Sequence, residues 1–268
     1  MSFNTYLLPQ TTAYLAQCTT QPSAKWTNAL NTLIRQLIID GNWQLLDRMW
    51  IFATESRSNA VLSIVKPGSA TSVSEENSSN LTWTANQGYT GDGSSSYLNS
   101  NYSPSGNFAT NSNSLGVYSR TNTSNASPTN TYDIGSTDGT DYVVLSCGVV
   151  STPPTLGAIL YDNITAASSF AAAVVSDTYA LIAGVRATAS SQAIYKRGTA
   201  LTLQQGGSTS SNGMPSVVFT ILATNVNGTP GFFSVRQTSM AFVGSGNINQ
   251  SKLYIAFQAF ATTIGFAV

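Results

Sequence analysis

The sequence predicts a mainly β protein, a two-sheet sandwich preceded by a small helical module and closed by one helix. Three observations predict it. From Leu81 onward, short apolar runs alternate with clusters of Gly, Ser, Asn and Pro, as in an all-β sandwich. Sustained helical period appears near the two ends, over Trp26–Leu37 and Leu253–Ile264. Charged residues make up only 8% of the chain, so Ser, Thr, Asn and Gly fill the polar positions between strands.

Residues 1–22 form an N-terminal arm without sustained period, closed by Pro22. Phe3, Tyr6, Leu7, Leu8, Tyr14 and Leu15 are many apolar groups for a solvated tail. They are the candidate partner-binding residues, and the arm is expected to be ordered only against another protein. The alternative is an unstructured terminus. A helical module spans 23–66. Ser23 is placed to cap its first helix. Trp26, Leu30, Leu33 and Leu37 recur on one face, Ala29, Ile34 and Ile38 widen the stripe, and Gly41 ends it. So wide a stripe fits a core-facing helix better than an oligomer seam. Asn42–Ala53 reads as a short second helix entering a buried stretch, and Ser56–Val65 as a third helical piece stopped by Pro67-Gly68.

The sandwich spans 67–246. Leu81–Ala85 alternates apolar and polar, and Gly88 and Gly91-Asp92-Gly93 supply residues that accept positive φ. Further strands are expected over Leu115–Ser119, Tyr142–Val150, Leu156–Tyr161, Tyr179–Val185, Ala193–Lys196, Val217–Ala223 and Phe232–Val243. Tyr179, Leu181, Ala183 and Val185 share one face. Val217–Ala223 is apolar on both faces, as an inner strand is. Ser190-Ser191 reads as a hairpin turn. In the last segment, 247–268, Asn249 caps a helix and Ile248 packs on Leu253 as a staple. Leu253, Phe257, Phe260 and Ile264 form its stripe, Gln258 lies on the opposite face, and Gly265 terminates it.

The run LTWTANQGYTGDGSSSYLNSNYSP, Leu81 to Pro104, resembles concanavalin-A-like, laminin-G-like jelly rolls, where an apolar strand enters a Gly-Asp-Gly-Ser turn followed by an aromatic. Further motifs narrow the resemblance. Trp43–Ala53 carries Trp-x-x-Leu-Asp-Arg-x-Trp-x-x-Ala, and Leu115–Asn122 ends in Tyr-Ser-Arg-Thr-Asn. Tyr132–Gly135 holds Asp-Ile-Gly, and Phe232–Gly246 holds Arg236-Gln237 and Ala-Phe-Val-Gly-Ser-Gly. In this order they look like a family of tailed-phage virion proteins in which a small helical module precedes a laminin-G-like jelly roll. The resemblance implies a virion location, a structural role in capsid decoration or a tail or fibre, several copies per particle, and other virion proteins as partners. Attachment would run through the arm and helices, with the sandwich outward. The alternative is a carbohydrate-binding adhesin whose partner is a host surface glycan. Aromatics gathered on one concave face would favour it.

The remaining chemistry is sparse. The formal net charge is zero and charged residues are only 8%, which argues against an electrostatic nucleic-acid binder, since that needs a basic face. No apolar run reaches the roughly 18 residues of a membrane span, and Met1–Gln10 lacks a basic n-region. Cys18 and Cys147 read as free thiols. The chain has no His, so Ser-His-Asp and Cys-His catalysis are excluded, as are His-based metal sites. The Glu-x-Asp-x-Glu pattern of jelly-roll glycosidases is absent. Glu75-Glu76 read as solvated acids in a Ser-rich loop, and on a strand they would point to opposite faces. Asp138-Gly139-Thr140-Asp141 offers oxygens for Ca²⁺ but too few carboxylates, and reads as a turn. Arg236 reads as an exposed strand arginine engaged in packing or pairing. No catalytic residue, metal site or cofactor is expected, and the chain is expected to be non-enzymatic.

Overall fold

The computed structural model describes residues 6–122, 131–147, 157–162, 171–205 and 213–268, with backbone alone for 157–162 and 204–205. Three layers stack in it: helices, a helix-side sheet and an outer sheet.

The helix-side sheet runs Thr199–Ala200, Ser191–Lys196, Ala180–Thr188, Asn113–Ser119, Gln237–Gly244, Gly88–Thr90, Thr82–Thr84. Leu46–Ile51 also pairs with Gln237–Gly244, in antiparallel register from Leu46↔Gly244 to Ile51↔Met240. The outer sheet runs Leu203–Gln205, Ala171–Val174, Gly157–Asp162, Tyr142–Ser146, Ile134–Thr137, Thr220–Ile221, Tyr97–Asn99, Ser74–Glu76. Thr224–Val226 joins Ile134–Thr137 in parallel and carries Thr229–Gly231. All other named pairings are antiparallel.

The pleat divides the apolar residues between two cores. Leu115, Val117, Ile182, Ala241 and Val243 face the outer sheet and meet Leu98, Ile134, Leu145 and Ile221. Tyr118, Leu181, Ala183, Met240 and Phe242 face the helices. A sheet covered on both faces needs apolar residues on both, which is why its strands read as continuous apolar runs. Gly116 lies where it must: a Cβ there would come within 2.4 Å of the Phe242 ring.

The long helix, Ala24–Ile39, buries Trp26, Ala29, Leu30, Leu33, Ile34 and Leu37 as the stripe predicts, but Ile38, expected to widen it, is exposed. The Trp26 N–H donates to Ser23 Oγ (3.2 Å), and Gly41 follows the end with φ 75°. The C-terminal helix, Gln250–Ile264, is capped by Asn249, which accepts from the Lys252 N–H (3.1 Å), and is stopped by Gly265 at φ 98°. The two helices meet through Trp26 and Phe260, edge to face at 5.8 Å. Asn42 clamps both: its Oδ1 accepts from the Asn249 N–H (2.9 Å) and its Nδ2 donates to the Asn249 carbonyl (3.1 Å).

Several expectations need correction. Val217–Ala223 is a strand only over Thr220–Ile221, and the strand expected over Phe232–Val243 begins at Gln237. Asn42–Ala53 is not a helix: after a single turn at Trp43–Leu45 it becomes the strand Leu46–Ile51. Met49 and Ile51 serve the helix-side core while Trp50 and Phe52 serve the inter-sheet core. With both faces apolar, the run showed no strand alternation. Ser56–Val65 is helical only over Arg57–Ala60, and Ser63 instead bridges to Trp50. Glu75 and Glu76 lie on the strand Ser74–Glu76 rather than in a loop. Arg236 is buried, not exposed, at 4% accessibility, and pairs with the fully buried Asp133 across 3.3 Å. A hairpin turn forms close to where it was expected, but over Ala189-Ser190: Ser191 already opens the next strand, opposite Thr188.

Candidate functional site

The arm residues come first. Phe3 lies outside the described residues. Tyr6 is 90% exposed, while Leu7, Leu8 and Leu15 are half-buried. Tyr14 is fully buried, because Pro9–Leu15 folds into a helix against this chain's own long helix. Its ring stacks on Trp26 at 5.8 Å, and its hydroxyl donates to the Asn59 carbonyl (3.3 Å). Asn31 Oδ1 accepts from the Leu8 N–H and the Thr11 hydroxyl, both at 2.8 Å. From Tyr6 onward the arm is thus ordered without a second protein, and Tyr14 is not available to one.

Beside it, the long and C-terminal helices enclose an apolar groove of about 480 Å³, lined among others by Ala29, Leu33, Ala256, Ala259 and Phe260. Ile255, 61% exposed, is on its rim, and Ile39, 69% exposed, lies at the end of the long helix.

The second concavity sits on the outer sheet and went unnoticed in the sequence. Leu98 and Ile221 pair and point into the inter-sheet core. Their neighbours Tyr97, Asn99 and Thr220 therefore face outward, with Thr220 opposite Asn99. Together with Ser216, Val217, Val218, Asn225, Gly228 and Pro230 they line a pocket of about 330 Å³. Asn225 fixes its floor, donating to the Val218 carbonyl (3.0 Å) and accepting from the Gly228 N–H (2.9 Å). Asn99 Oδ1 accepts from the Asn101 N–H (3.0 Å). The Tyr97 ring is tilted against Phe233 at 6.3 Å. Partial burial and the carboxylate of Glu76, its cross-strand partner, raise the Tyr97 phenol above its ordinary pKa. The alternation of Tyr97-Leu98-Asn99 was a signal for an outward aromatic–amide pair. The inward partner across the strand, Ile221, lies over a hundred residues away.

The carboxylates are occupied elsewhere. Asp133 accepts from the Cys147 N–H (2.7 Å) and the Ser234 hydroxyl (2.8 Å) besides pairing with Arg236. Burial first, then Asp133, pushes the Cys147 thiol well up. Burial likewise pushes Cys18 up to about 11. Both thiols are thus held protonated at neutral pH. Glu75 holds Arg57 at 2.7 Å and accepts from the Tyr89 hydroxyl. Asp177 pairs with Lys196 (2.7 Å) and Arg197 (3.0 Å). Asp138 Oδ1 accepts from the Thr140 and Asp141 N–H groups, closing the Asp-Gly turn, and its Oδ2 accepts from the Ser216 N–H (3.0 Å). Among the described residues no three metal-ligating side chains converge, and no helix is long and apolar enough to cross a membrane.

No protein-family model and no curated protein matches the chain. Solved structures do. The crystal structure of an HCR/D mutant is similar over 80% of this chain and 52% of its own, at 9% identity and TM-score 0.53. This chain spans about half the length of that one. A Trypanosoma rangeli sialidase mutant is 12% identical over 87% of this chain and 39% of its own, with TM-score 0.45. The botulinum neurotoxin serotype D binding domain is 9% identical over 76% and 47%, with TM-score 0.43. At such identities likeness speaks to fold alone. The architecture is that of a concanavalin-A-like, laminin-G-like jelly-roll sandwich, with helices packed on one sheet.

Proposed function

We propose that this chain is a non-enzymatic structural component of a tailed-phage particle, present in several copies. It attaches to other virion proteins through its helix layer, with the outer sheet facing away. One observation carries the reading. Three sequence motifs that resemble phage virion proteins are far apart in the chain: Trp43–Ala53, Leu115–Asn122 and Phe232–Gly246. They fall on three neighbouring strands, because Gln237–Gly244 pairs with Leu46–Ile51 on one side and Asn113–Ser119 on the other. The motifs thus describe one contiguous piece of structure. The exposed Tyr6, Ile38, Ile39 and Ile255 are apolar groups the helix layer offers a partner. Engagement of Glu75, Asp133, Asp138 and Asp177 in ion pairs and turns supports a non-enzymatic role, since the two-carboxylate mechanism of glycosidases needs two acids facing a common substrate. Glu75 and Glu76 point to opposite faces of their strand.

The test is incorporation into particles. Ile39→Asp with Ile255→Asp is expected to leave the thermal melt within about 2 °C, since exposed substitutions stay near 0.5 kcal/mol. Copy number in purified particles should fall at least tenfold. Normal incorporation of this variant, or absence of the wild-type protein from particles, overturns the reading.

A second reading, a carbohydrate-binding adhesin, is favoured by the outward Tyr97 and its pocket on the outer sheet. The two are compatible, since the attachment face and this pocket lie on opposite layers.

A further inference from the structure

The geometry points to the outer-sheet pocket around Tyr97 and Asn99 as a binding site for an uncharged sugar. This inference deepens the adhesin reading and rests on it. At about 330 Å³ the pocket sits at the small end of the ~300–1,000 Å³ usual for small-molecule sites, which suits one or two pyranose rings.

Its chemistry is that of a sugar site. A pyranose has an apolar C–H face and a rim of hydroxyls. Tyr97 supplies a half-buried aromatic surface, held by its contact with Phe233. Asn99 stands two residues along on the same face, its Oδ1 already accepting from Asn101. That bond fixes the amide orientation and leaves Nδ2 to donate to a hydroxyl. Val217, Val218 and Pro230 add apolar walls, and the exposed Ser216 adds a hydroxyl. The floor is rigid, because Asn225 is bonded at both ends of its amide. A preformed site keeps the ordering cost of a weak ligand low.

The electrostatics choose among sugars. Among the described residues no charged side chain lines the pocket. Two acids adjoin its lining: Glu76 stands opposite Tyr97 on the adjoining strand, and Asp138 accepts from the backbone of Ser216. A carboxylated or sulfated sugar would meet these two like charges and no cation among the described lining residues. Neutral hexoses and N-acetylhexosamines meet no such penalty, and the carboxylates can accept from their hydroxyls.

The test presents the full chain to immobilised oligomers of glucose, galactose and N-acetylglucosamine, beside sialylated and sulfated counterparts. Binding to at least one neutral oligomer is expected, with anionic versions at least tenfold weaker. For the best neutral oligomer, calorimetry on Tyr97→Ala should show at least a tenfold loss and on Asn99→Ala a three- to tenfold loss, both with unchanged melts. If Tyr97→Ala melts early, Tyr97→Phe serves instead: it keeps the ring surface and should bind within threefold of wild type, while Asn99→Ala still weakens. No binding to any neutral oligomer, preference for anionic ones, or full affinity in both alanine variants overturns the proposal. Particle incorporation measured on the same variants separates the two readings: it stays normal here whichever way sugar binding falls.

Discussion

At the scale of single residues, Asp92 shows how one side chain organises a turn. In Gly-Asp-Gly-Ser-Ser-Ser its Oδ1 accepts from the N–H groups of Ser94, Ser95 and Ser96 at 2.9–3.0 Å. Its Oδ2 accepts from the hydroxyls of Ser94 and Ser95. Burial acts to raise its pKa, but these donors outweigh it and hold the carboxyl far below its usual range. Asp92→Ala strands three N–H groups and should cost about 1–3 kcal/mol in a denaturant melt. Asp92→Asn keeps an acceptor and should cost less. A depressed folded pKa means the charge stabilises fully above the unfolded value near pH 4, roughly that of a free Asp. That stability is lost as pH falls toward the folded pKa. The gap between wild type and Asp92→Asn should therefore be constant from pH 5 to 7 and shrink below about pH 4. A gap that widens on acidification would refute this assignment. Gly88 is governed by space as well as φ. At φ 113°, a Cβ there would lie 2.1 Å from the Thr238 carbonyl oxygen, in the strand pair Thr238↔Tyr89. Gly88→Ala should thus destabilise by several kcal/mol, on the order of 3, combining strain with a displaced strand. A melt within 2 °C of wild type would contradict it.

Among the elements, the C-terminal helix is the one whose packing was most legible in advance. Leu253, Phe257 and Phe260 are all buried, and Phe257 lies 5.1 Å from Tyr118 and 5.9 Å from Phe266, ring to ring. The helix is a lid on the sandwich, closing the helix-side core against Trp26. Phe257→Ala should cost about 3–5 kcal/mol. Gln258, expected on the opposite, solvated face, is instead half-buried, and its Oε1 accepts from the Tyr118 hydroxyl (2.8 Å). The exposed Thr262→Ala should stay within about 0.5 kcal/mol. Equal melts for Phe257→Ala and Thr262→Ala would show that the stripe is not buried in the isolated protein. This helix could be read because its period, cap and terminating glycine all act within a few residues. Leu46–Ile51 could not, because its strand identity comes from pairing with residues some 190 positions away. The outer pocket was hidden for the same reason. Tyr97 and Asn99 are ordinary strand residues until Thr220–Ile221 is laid beside them.

At the scale of the whole molecule, the helices and the sandwich form one body. Fully buried Trp26 connects them: it stacks on Tyr14, meets Phe260, and donates from Nε1 to the Ala53 carbonyl (3.2 Å), at the end of the strand Leu46–Ile51. Further bonds sew the arm to the rest. Asn59 Nδ2 donates to the Thr20 carbonyl (2.7 Å), and at the arm's junction with the long helix Glu55 accepts from both the N–H and the hydroxyl of Ser23 (2.6 Å each). From the sequence, an aperiodic apolar arm suggested a segment waiting for a partner. In the fold its short helix finds that partner within the chain, and only tertiary packing distinguishes the two cases. The consequence is measurable. Were the arm an appendage, deleting residues 1–20 would leave the sandwich melt unchanged and abolish assembly alone. With Tyr14 in the core, the deletion should expose Trp26 and lower the melting temperature well beyond 5 °C. Tyr14→Ala alone should cost about 3–5 kcal/mol, as for other large buried aromatics, while Tyr6→Ala, at 90% exposure, should stay within about 0.5 kcal/mol. Trp26 emission, isolated in a chain whose other tryptophans, Trp43, Trp50 and Trp83, are replaced by Phe, offers an independent readout, since uncovering the indole shifts its emission to longer wavelength. A truncated chain that melts like the intact one, with unshifted emission, would return the arm to the role of a free attachment strand.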